Sequence, residues 1–322
     1  MEKIKLGKSE LSVSKMPLGT MYFGWKTPDD VGILRMNEYM EAGGNFIDTA
    51  NVYSRRLAPD KDFYGKDFSE YREGTSEKLI GRWLKEKGVR HDFVIATKVG
   101  FRYPGIELGT SPRQIREECE KSLQRLGTDY IDLYYLHMDD ENTPLEDSLY
   151  TLTKLKKEGK IRYIGLSNFK TERIIEADAI SEKEGFEKAV CVQQKYTYLK
   201  PRPDADFGRQ AVADEALFRY ASASGLSVLA YSPLLSGYYA DRTKKIPEQY
   251  ISSENSKRID TLLGVAEKMG VTPTQLVYAW MLNLTPEILP IVAASNSAQF
   301  SEALSAFEIK IPENLMNELN NL

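Results

Sequence analysis

Four side chains that can hold or transfer a proton occur at or just after the ends of apolar segments. Asp48 ends the segment NFID, and Tyr53 follows it in the next loop. Lys98 lies near the end of FVIATKV, and His137 ends YIDLYYLH. A phenol, an amine and an imidazole that meet at one point could protonate a carbonyl oxygen and hold it in place. The residue types therefore indicate acid–base chemistry at a carbonyl group.

Each of these residues also has an ordinary structural interpretation. An aspartate after a strand often caps a helix, a strand-end lysine can be solvated, and a lone histidine can bond to backbone. A lysine inside an apolar run is nevertheless costly to bury alone, and Asp48 is available to pair with Lys98. A nearby ammonium would also lower the pKa of the Tyr53 phenol from about 10, which suits proton transfer near neutrality. Together the four residues favour a site.

The composition argues against several other classes of function. A net charge of −4 and a pI near 5.6 predict no general attraction to nucleic acid or to an anionic membrane. Cys119 and Cys191 are far apart in the sequence, and no histidine pair or Cys/His cluster suggests a metal site. No apolar run has the length of a signal peptide or a membrane span. We expect a cytoplasmic protein that binds no metal, nucleic acid or membrane.

The elements that must position these residues alternate regularly along the chain. The first residues predict a hairpin with its turn at Gly7–Glu10, and amphipathic, helix-like stretches then separate short apolar segments. Strands that are apolar on both faces and alternate with helices form a parallel sheet, and eight such units favour a closed (β/α)8 TIM barrel, an α/β fold. The hairpin would cap the bottom of this barrel. The eight apolar segments are Met16–Met21, Asn45–Asp48, Phe93–Val99, Tyr130–His137, Ile161–Ser167, Ala189–Gln194, Leu226–Ser232 and Ile288–Ser295.

The chain shows no linker that would divide it, so we expect a single barrel domain over residues 1–322. Catalytic side chains of such barrels lie at the C-terminal ends of the strands. Two long polar segments, 55–74 and 236–253, are expected to be loops at that face.

Six segments of the sequence resemble the aldo-keto reductase superfamily, in its bacterial form with a short C-terminal region and also in its potassium-channel β-subunit branch. They are PLGTMYFG, AGGNFIDTANVYS, IATKVG, SLQRLGTDYIDLYYLH, IGLSNF and AYSPLLSG, and they follow one another in the family's order over nearly the whole chain. The resemblance implies a (β/α)8 barrel with a nicotinamide cofactor across its C-terminal face. It also implies the reversible reduction of an aldehyde or ketone to the alcohol, a sugar-derived carbonyl being one candidate.

The resemblance assigns a role to each of the four residues. Tyr53 is the general acid/base, and Lys98 lowers its pKa. Asp48 pairs with Lys98, and His137 orients the substrate carbonyl. These roles agree with the chemistry suggested by the residue types alone.

The resemblance also implies a cofactor site. Ser167, Asn168 and Gln193 match positions that hydrogen-bond the nicotinamide carboxamide. Gln193 is preferred to Gln194 because QQKY matches a family pattern of a glutamine three residues before a tyrosine. Tyr231 matches the ring that stacks beneath the nicotinamide. The remaining cofactor positions are Thr20, Met21, Ser232, Leu234, Ser236, Gly237, Ser295, Asn296, Ser297, Gln299 and Glu302.

The sequence departs from the family pattern at the adenosine end of this site. The segment VAASNSAQFSEAL contains no lysine or arginine, whereas the family usually has one there to hold a 2′-phosphate. Ser295, Asn296 and Ser297, or Arg242 from its loop, could hold the phosphate instead. NADP(H) is therefore favoured from the family, and NAD(H) is possible.

The substrate is expected to be a small-molecule carbonyl compound. Candidates for its pocket are Tyr22, Trp25, Tyr103 and Met138, together with the segment 55–74. The sequence leaves open whether the protein is a monomer or a homo-oligomer. It also leaves two rival functions open: a Schiff-base aldolase that uses Lys98 as its nucleophile, and a regulatory subunit that binds the cofactor.

Overall fold

The computed structural model describes residues 1–54 and 73–321 and contains an eight-stranded parallel sheet preceded by a two-stranded antiparallel hairpin. Parallel strands follow one another around the sheet in chain order, with helices between them. The strands are β1 Lys3–Lys5, β2 Ser12–Ser14, β3 Leu18–Gly19, β4 Phe46–Asp48, β5 Val94–Val99, β6 Ile131–Leu136, β7 Ile161–Ser167, β8 Ala189–Lys195, β9 Ser227–Tyr231 and β10 Ile288–Pro290. The helices are α1 Asp29–Glu41, α2 Thr75–Lys87, α3 Pro112–Leu126, α4 Leu145–Lys157, α5 Thr171–Glu184, α6 Glu215–Ser224, α7 Ser253–Met269, α8 Pro273–Leu282, α9 Ser297–Ser305 and α10 Glu313–Asn320.

The sheet closes on itself between its first and last strands. Gly19 N donates to Val292 O at 2.8 Å, and Val292 N donates to Pro17 O at 2.8 Å. Leu18 and Val292 also form a parallel bridge just beyond β10. These contacts join β3 to the residues after β10 and confirm the predicted (β/α)8 barrel.

The N-terminal hairpin covers the bottom of the barrel, as predicted. Leu6, Leu11 and Val13 are buried in one apolar cluster with residues at the starts of the barrel strands, including Phe46 and Val94. Removing these side chains from water stabilises the closed end of the barrel.

Local signals in the sequence explain where several helices begin and end. Ser111 caps α3 by accepting a hydrogen bond from Gln114 N, and Gly127 ends the same helix in a left-handed conformation. Thr272 and Gln275 form a reciprocal capping box at the start of α8. No helix within residues 1–54 and 73–321 is long and apolar enough to cross a membrane.

Alternation along the strands places polar groups at the upper end of the barrel interior. In β4, Phe46 lies in the lower apolar cluster and Asp48 follows it on the same face. In β5, Val94 and Ala96 precede Lys98 in the same way. The interior is therefore apolar near the hairpin and becomes charged at the C-terminal mouth.

Candidate active site

A buried ion pair lies at the C-terminal end of the barrel interior. Lys98 Nζ is 2.5 Å from Asp48 Oδ1 and donates to Thr49 O at 2.7 Å. The other carboxylate oxygen, Asp48 Oδ2, accepts from Gln193 Nε2 at 2.7 Å. Lys98 and Asp48 are almost wholly buried, so hydrogen bonds in place of water satisfy both charges. The pairing of Asp48 with Lys98 that the sequence suggests is present.

Tyr53 and His137 lie beside this ion pair. The Tyr53 ring centroid is 5.1 Å from Lys98 Nζ and 5.9 Å from the His137 ring, and the two rings are inclined at 74°. His137 also packs edge-on against Phe101, with ring centroids 4.6 Å apart. His137 Nδ1 is buried and has no hydrogen-bond partner among the described residues. A phenol, an imidazole and an ammonium thus converge at one end of the barrel.

The surroundings shift the pKa of three of these groups. Burial raises the pKa of Tyr53 well above 10, and the Asp48 charge adds to this effect. Burial lowers the pKa of Lys98, whereas Asp48 opposes that shift. Burial, with a contribution from Lys98, lowers the pKa of His137 well below 6.5. In the protein alone the phenol is therefore protonated and the imidazole neutral near pH 7, and the lowering of the Tyr53 pKa by Lys98 stays a prediction.

The strand ends bring the nicotinamide-site candidates next to the same cluster. Asn168 Nδ2 donates to His137 O at 2.9 Å, and Asn168 Oδ1 accepts from Tyr231 Oη at 2.7 Å. Ser167 Oγ donates to Gln193 O at 2.9 Å. The four candidates Ser167, Asn168, Gln193 and Tyr231 therefore form one hydrogen-bonded group that joins β7, β8 and β9.

Strained backbone is concentrated at this mouth. Within the described part of the chain, the non-glycine residues with positive φ are Asn168, Ser232, Leu235 and Ser236, with φ values between 47° and 59°. Gly237 continues the same segment with a φ of 87°. Such conformations cost free energy, persist only where the surrounding structure holds them, and are often found at functional sites. All four residues lie in segments that sequence analysis assigns to the cofactor.

The adenosine-site candidates lie at the start of α9. Asn296 caps this helix by accepting from Gln299 N at 2.9 Å, and the Gln299 side chain accepts from Ser295 N at 3.2 Å. Glu302 Oε1 accepts from Thr272 Oγ1 at 2.6 Å, so this carboxylate faces α8.

A basic residue does reach α9, although it comes from the other end of the chain. Arg35 on α1 is buried, and its Nη2 donates to Ser297 Oγ at 2.8 Å while Glu38 pairs with the same guanidinium. Arg35 could not be identified from the sequence, because only the packing of α1 against α9 brings it close to Ser297.

The pocket candidates divide into two groups. Tyr22 and Trp25 have ring centroids 5.5 Å apart, and Lys26 Nζ lies 4.9 Å from the Tyr22 centroid. Tyr103 and Met138 are buried in a cluster with Ala50, Val52 and Phe101, against which Tyr53 packs. Thr20 Oγ1 donates to Asp48 O at 2.9 Å, and Met21 O accepts from Trp25 Nε1 at 3.0 Å. Most of the segment 55–74 lies outside the described residues.

Two buried acids near the site were not singled out from the sequence. Glu77 accepts from Thr97 Oγ1 at 2.6 Å, next to Lys98, and pairs with Arg125 at 2.6 Å. Glu118 accepts from Asn51 Nδ2 at 2.7 Å. Glu77 on α2 and Glu118 on α3 both lie on the helix face that packs against the barrel. Their spacing from the apolar residues of that face could have identified them as buried. No cluster of three or more potential metal ligands occurs in the described ranges.

The fold and the site together define a class of protein. A (β/α)8 barrel with acid–base groups at its C-terminal mouth has the organisation of a barrel enzyme. A model of the Aldo/keto reductase family matches residues 15–322, and the chain belongs to this family.

Two curated relatives are similar over nearly the full chain. The uncharacterized oxidoreductase YrpG of Bacillus subtilis is 29% identical and covers 100% of this chain and 96% of its own. The aldo-keto reductase str7 of Strobilurus tenacellus is 30% identical and covers 96% of this chain and 88% of its own.

A solved structure supports the same assignment. The thermostable aldo-keto reductase Tm1743, crystallised with the inhibitor epalrestat, is 29% identical, with a TM-score of 0.74. The match covers 100% of this chain and 99% of that one. Family and relatives together support an oxidoreductase that reduces a carbonyl group.

Proposed function

We propose that this protein reduces an aldehyde or ketone to the alcohol with NAD(P)H, and that Tyr53 donates the proton. The observation that carries the proposal is the convergence of Tyr53, His137 and the Lys98–Asp48 pair at the C-terminal mouth. No group in this cluster is a serine or cysteine nucleophile, so the chemistry suits proton transfer rather than acyl transfer.

Each residue of the cluster has a distinct task in this proposal. The neutral His137 imidazole donates a hydrogen bond to the carbonyl oxygen. Its Nδ1 has no partner among the described residues, so no protein group competes for a hydrogen bond at that atom. The protonated Tyr53 phenol delivers its proton to the same oxygen as the carbon is reduced. The Lys98 ammonium, held by Asp48, then stabilises the phenolate that remains.

The residues at the mouth fit a nicotinamide cofactor. Ser167, Asn168 and Gln193 carry groups of the kind that hydrogen-bond an amide, and Tyr231 has a ring face. Binding a carboxamide there would exchange some of their present bonds, such as that between Asn168 Oδ1 and Tyr231 Oη, for bonds to the cofactor. The strained segment from Ser232 to Gly237 supports a binding role for that loop. When bound there, the cofactor would supply the hydride. NADP(H) stays the expectation from the family. Arg35, which donates to Ser297, is a basic residue close to the adenosine-site candidates.

A carbonyl assay with both cofactors tests the proposal. The wild type should reduce nitrobenzaldehyde with NADPH or NADH, and thermal-shift titrations should show which cofactor binds more tightly. Tyr53→Phe should lower kcat by at least about 100-fold, because it removes the proton donor. Its cofactor Kd should stay within about twofold, because the ring is retained. A variant that keeps its turnover but loses cofactor affinity would contradict the role of Tyr53.

The carbonyl assay, together with borohydride trapping, separates the rival functions. A regulatory subunit would bind the cofactor without turning over any aldehyde. A Schiff-base aldolase would form a borohydride-trapped adduct at Lys98. The contacts of Lys98 Nζ with Asp48 and Thr49 O do not favour that reaction, because they hold the amine as a charged donor.

A further inference from the structure

Tyr53 is presented by a tight turn rather than by a strand or a helix. Tyr53 N donates to Ala50 O at 3.1 Å, so Asn51 and Val52 are the central residues of the turn. Lys98 and His137, in contrast, are fixed in or next to barrel strands. The position of the phenol relative to both groups therefore depends on what holds this turn.

A buried carboxylate on α3 holds the centre of the turn. Glu118 is fully buried, and its Oε2 accepts from Asn51 Nδ2 at 2.7 Å. Its Oε1 accepts from Lys121 Nζ at 2.9 Å. Asn51 is also fully buried, and its Oδ1 has no partner among the described residues. Turning the amide over would place that oxygen against a carboxylate, so Glu118 fixes the orientation of Asn51.

The same carboxylate oxygen also supports the surroundings of His137. Glu118 Oε2 accepts a second hydrogen bond, from Tyr103 Oη at 2.6 Å. Tyr103 lies in the segment after β5 together with Phe101, whose ring packs against His137. One buried charge is therefore bonded both to the turn that carries Tyr53 and to the segment that packs on His137. Burying a carboxylate is costly, and a purely apolar contact could have filled the same space without that cost.

We propose that Glu118 is a positioning residue for Tyr53, acting through the Asn51 amide and resting on the function proposed above. Glu118 does not touch the reacting atoms. It sets the distance and direction of the phenol, on which the rate of proton donation depends.

Glu118→Gln tests the proposal with a small change of shape. The variant should lower kcat by about tenfold or more, because the charge-assisted bond to the turn is weakened. The KM for the aldehyde and the Kd for the cofactor should change by less than about twofold. Glu117→Gln is the matched control, since Glu117 is the more exposed neighbour and pairs with Arg113. A kcat within about twofold of the wild type in Glu118→Gln would overturn the proposal.

A reversed pair distinguishes positioning from a general structural role. Asn51→Asp alone would place two carboxylates in contact and should lower kcat at least as much as Glu118→Gln. Combining Asn51→Asp with Glu118→Gln lets the new amide donate to the new carboxylate. The double variant should recover kcat to within about threefold of the wild type. Losses that simply add in the double variant would overturn the role of this hydrogen bond.

Hydrogen exchange measures the turn independently of turnover. The backbone amides of residues 50–53 should exchange faster in Glu118→Gln and return towards the wild-type rate in the double variant. Unchanged exchange in Glu118→Gln would contradict the tether even if activity fell. If the wild type reduced no carbonyl compound, the proposed function would fail, whereas the exchange rates would still show whether Glu118 holds the turn.

Discussion

Lys98 and Asp48 illustrate how a costly pair of charges is accommodated inside the barrel. Each would be strongly destabilising alone at this depth, and their mutual attraction offsets the cost only with good geometry and further hydrogen bonds. Thr49 O and Gln193 Nε2 supply those bonds, one to each partner. The pair therefore gives little reason to expect extra stability. It gives more reason to expect a function, because buried charges act strongly on neighbouring groups.

His137 should make the protein sensitive to acid. Its pKa is lowered in the folded state, so the unfolded chain binds a proton near pH 6.5 that the folded chain does not. Stability from this group is complete above pH 6.5 and is lost as the pH falls below that value. Urea unfolding of the wild type should therefore show a loss of roughly 1 kcal/mol between pH 7 and pH 5.5 that His137→Gln lacks.

The other histidine of the chain provides the control for this experiment. His91 is exposed, outside the barrel interior. His91→Gln should leave the acid sensitivity in place. An equal pH dependence in His137→Gln and the wild type would contradict the buried, neutral state of His137.

At Gly165 the backbone of β7 lies very close to the Tyr135 ring on the neighbouring strand β6. A Cβ atom at Gly165 in β7 would lie 2.4 Å from Cε1 of Tyr135 in β6. The Tyr135 ring centroid is in turn 5.6 Å from Lys98 Nζ. Gly165 therefore leaves space for a ring that packs beneath Lys98.

Gly165→Ala should disturb both packing and activity. The added methyl group must displace the Tyr135 ring within a filled barrel, which should cost about 1–3 kcal/mol of unfolding free energy. It should also lower kcat, because the ring lies close to Lys98. Gly264→Ala in α7 is the control, since its Cβ would meet nothing within 4 Å and should stabilise the helix by roughly 0.5–1 kcal/mol. Equal stability of the two variants would argue against the close packing.

The elements themselves were largely predictable from the sequence. Strands such as Val94–Val99 and Ile131–Leu136 are mostly apolar and buried along their whole length, as expected for strands of a parallel sheet covered by helices. Helix ends were marked by Ser, Pro and Gly at positions where caps form, as at Ser111 and Gly127. The shortest strand, Leu18–Gly19, was overestimated as Met16–Met21 because its apolar neighbours continue beyond the ladder.

The contacts between distant elements were not predictable in the same way. Strand ends in a barrel converge, so the meeting of Asp48 and Lys98 followed from the fold. The contacts of Arg35 with Ser297 and of Glu118 with Asn51 depend on how particular helices rotate and pack, which one sequence does not determine. The roles of the cofactor and substrate residues stay predictions for the experiments described above.

The whole barrel depends on the hairpin at its lower end. Leu6 is fully buried against the starts of the strands, at the end opposite to Tyr53. Leu6→Ala should lower the unfolding free energy by about 2–5 kcal/mol through the cavity it leaves. At a temperature where the variant is folded, its kcat should match the wild type. The exposed Leu34→Ala is the control and should change stability little. A large fall in kcat for folded Leu6→Ala would mean that the hairpin and the active site are coupled.

The hairpin closes the lower end of the barrel, and this has a consequence for the kinetics of the enzyme. The hairpin and the apolar interior fill the lower barrel, so the cofactor and substrate that are proposed to meet beside Tyr53 would share the mouth above it. Under the proposed function, the ligand that lay deeper would then have to arrive first and depart last. The closed lower end of the barrel would therefore impose an order of binding and release on the two ligands. The next catalytic cycle could begin only after the deeper ligand had been released.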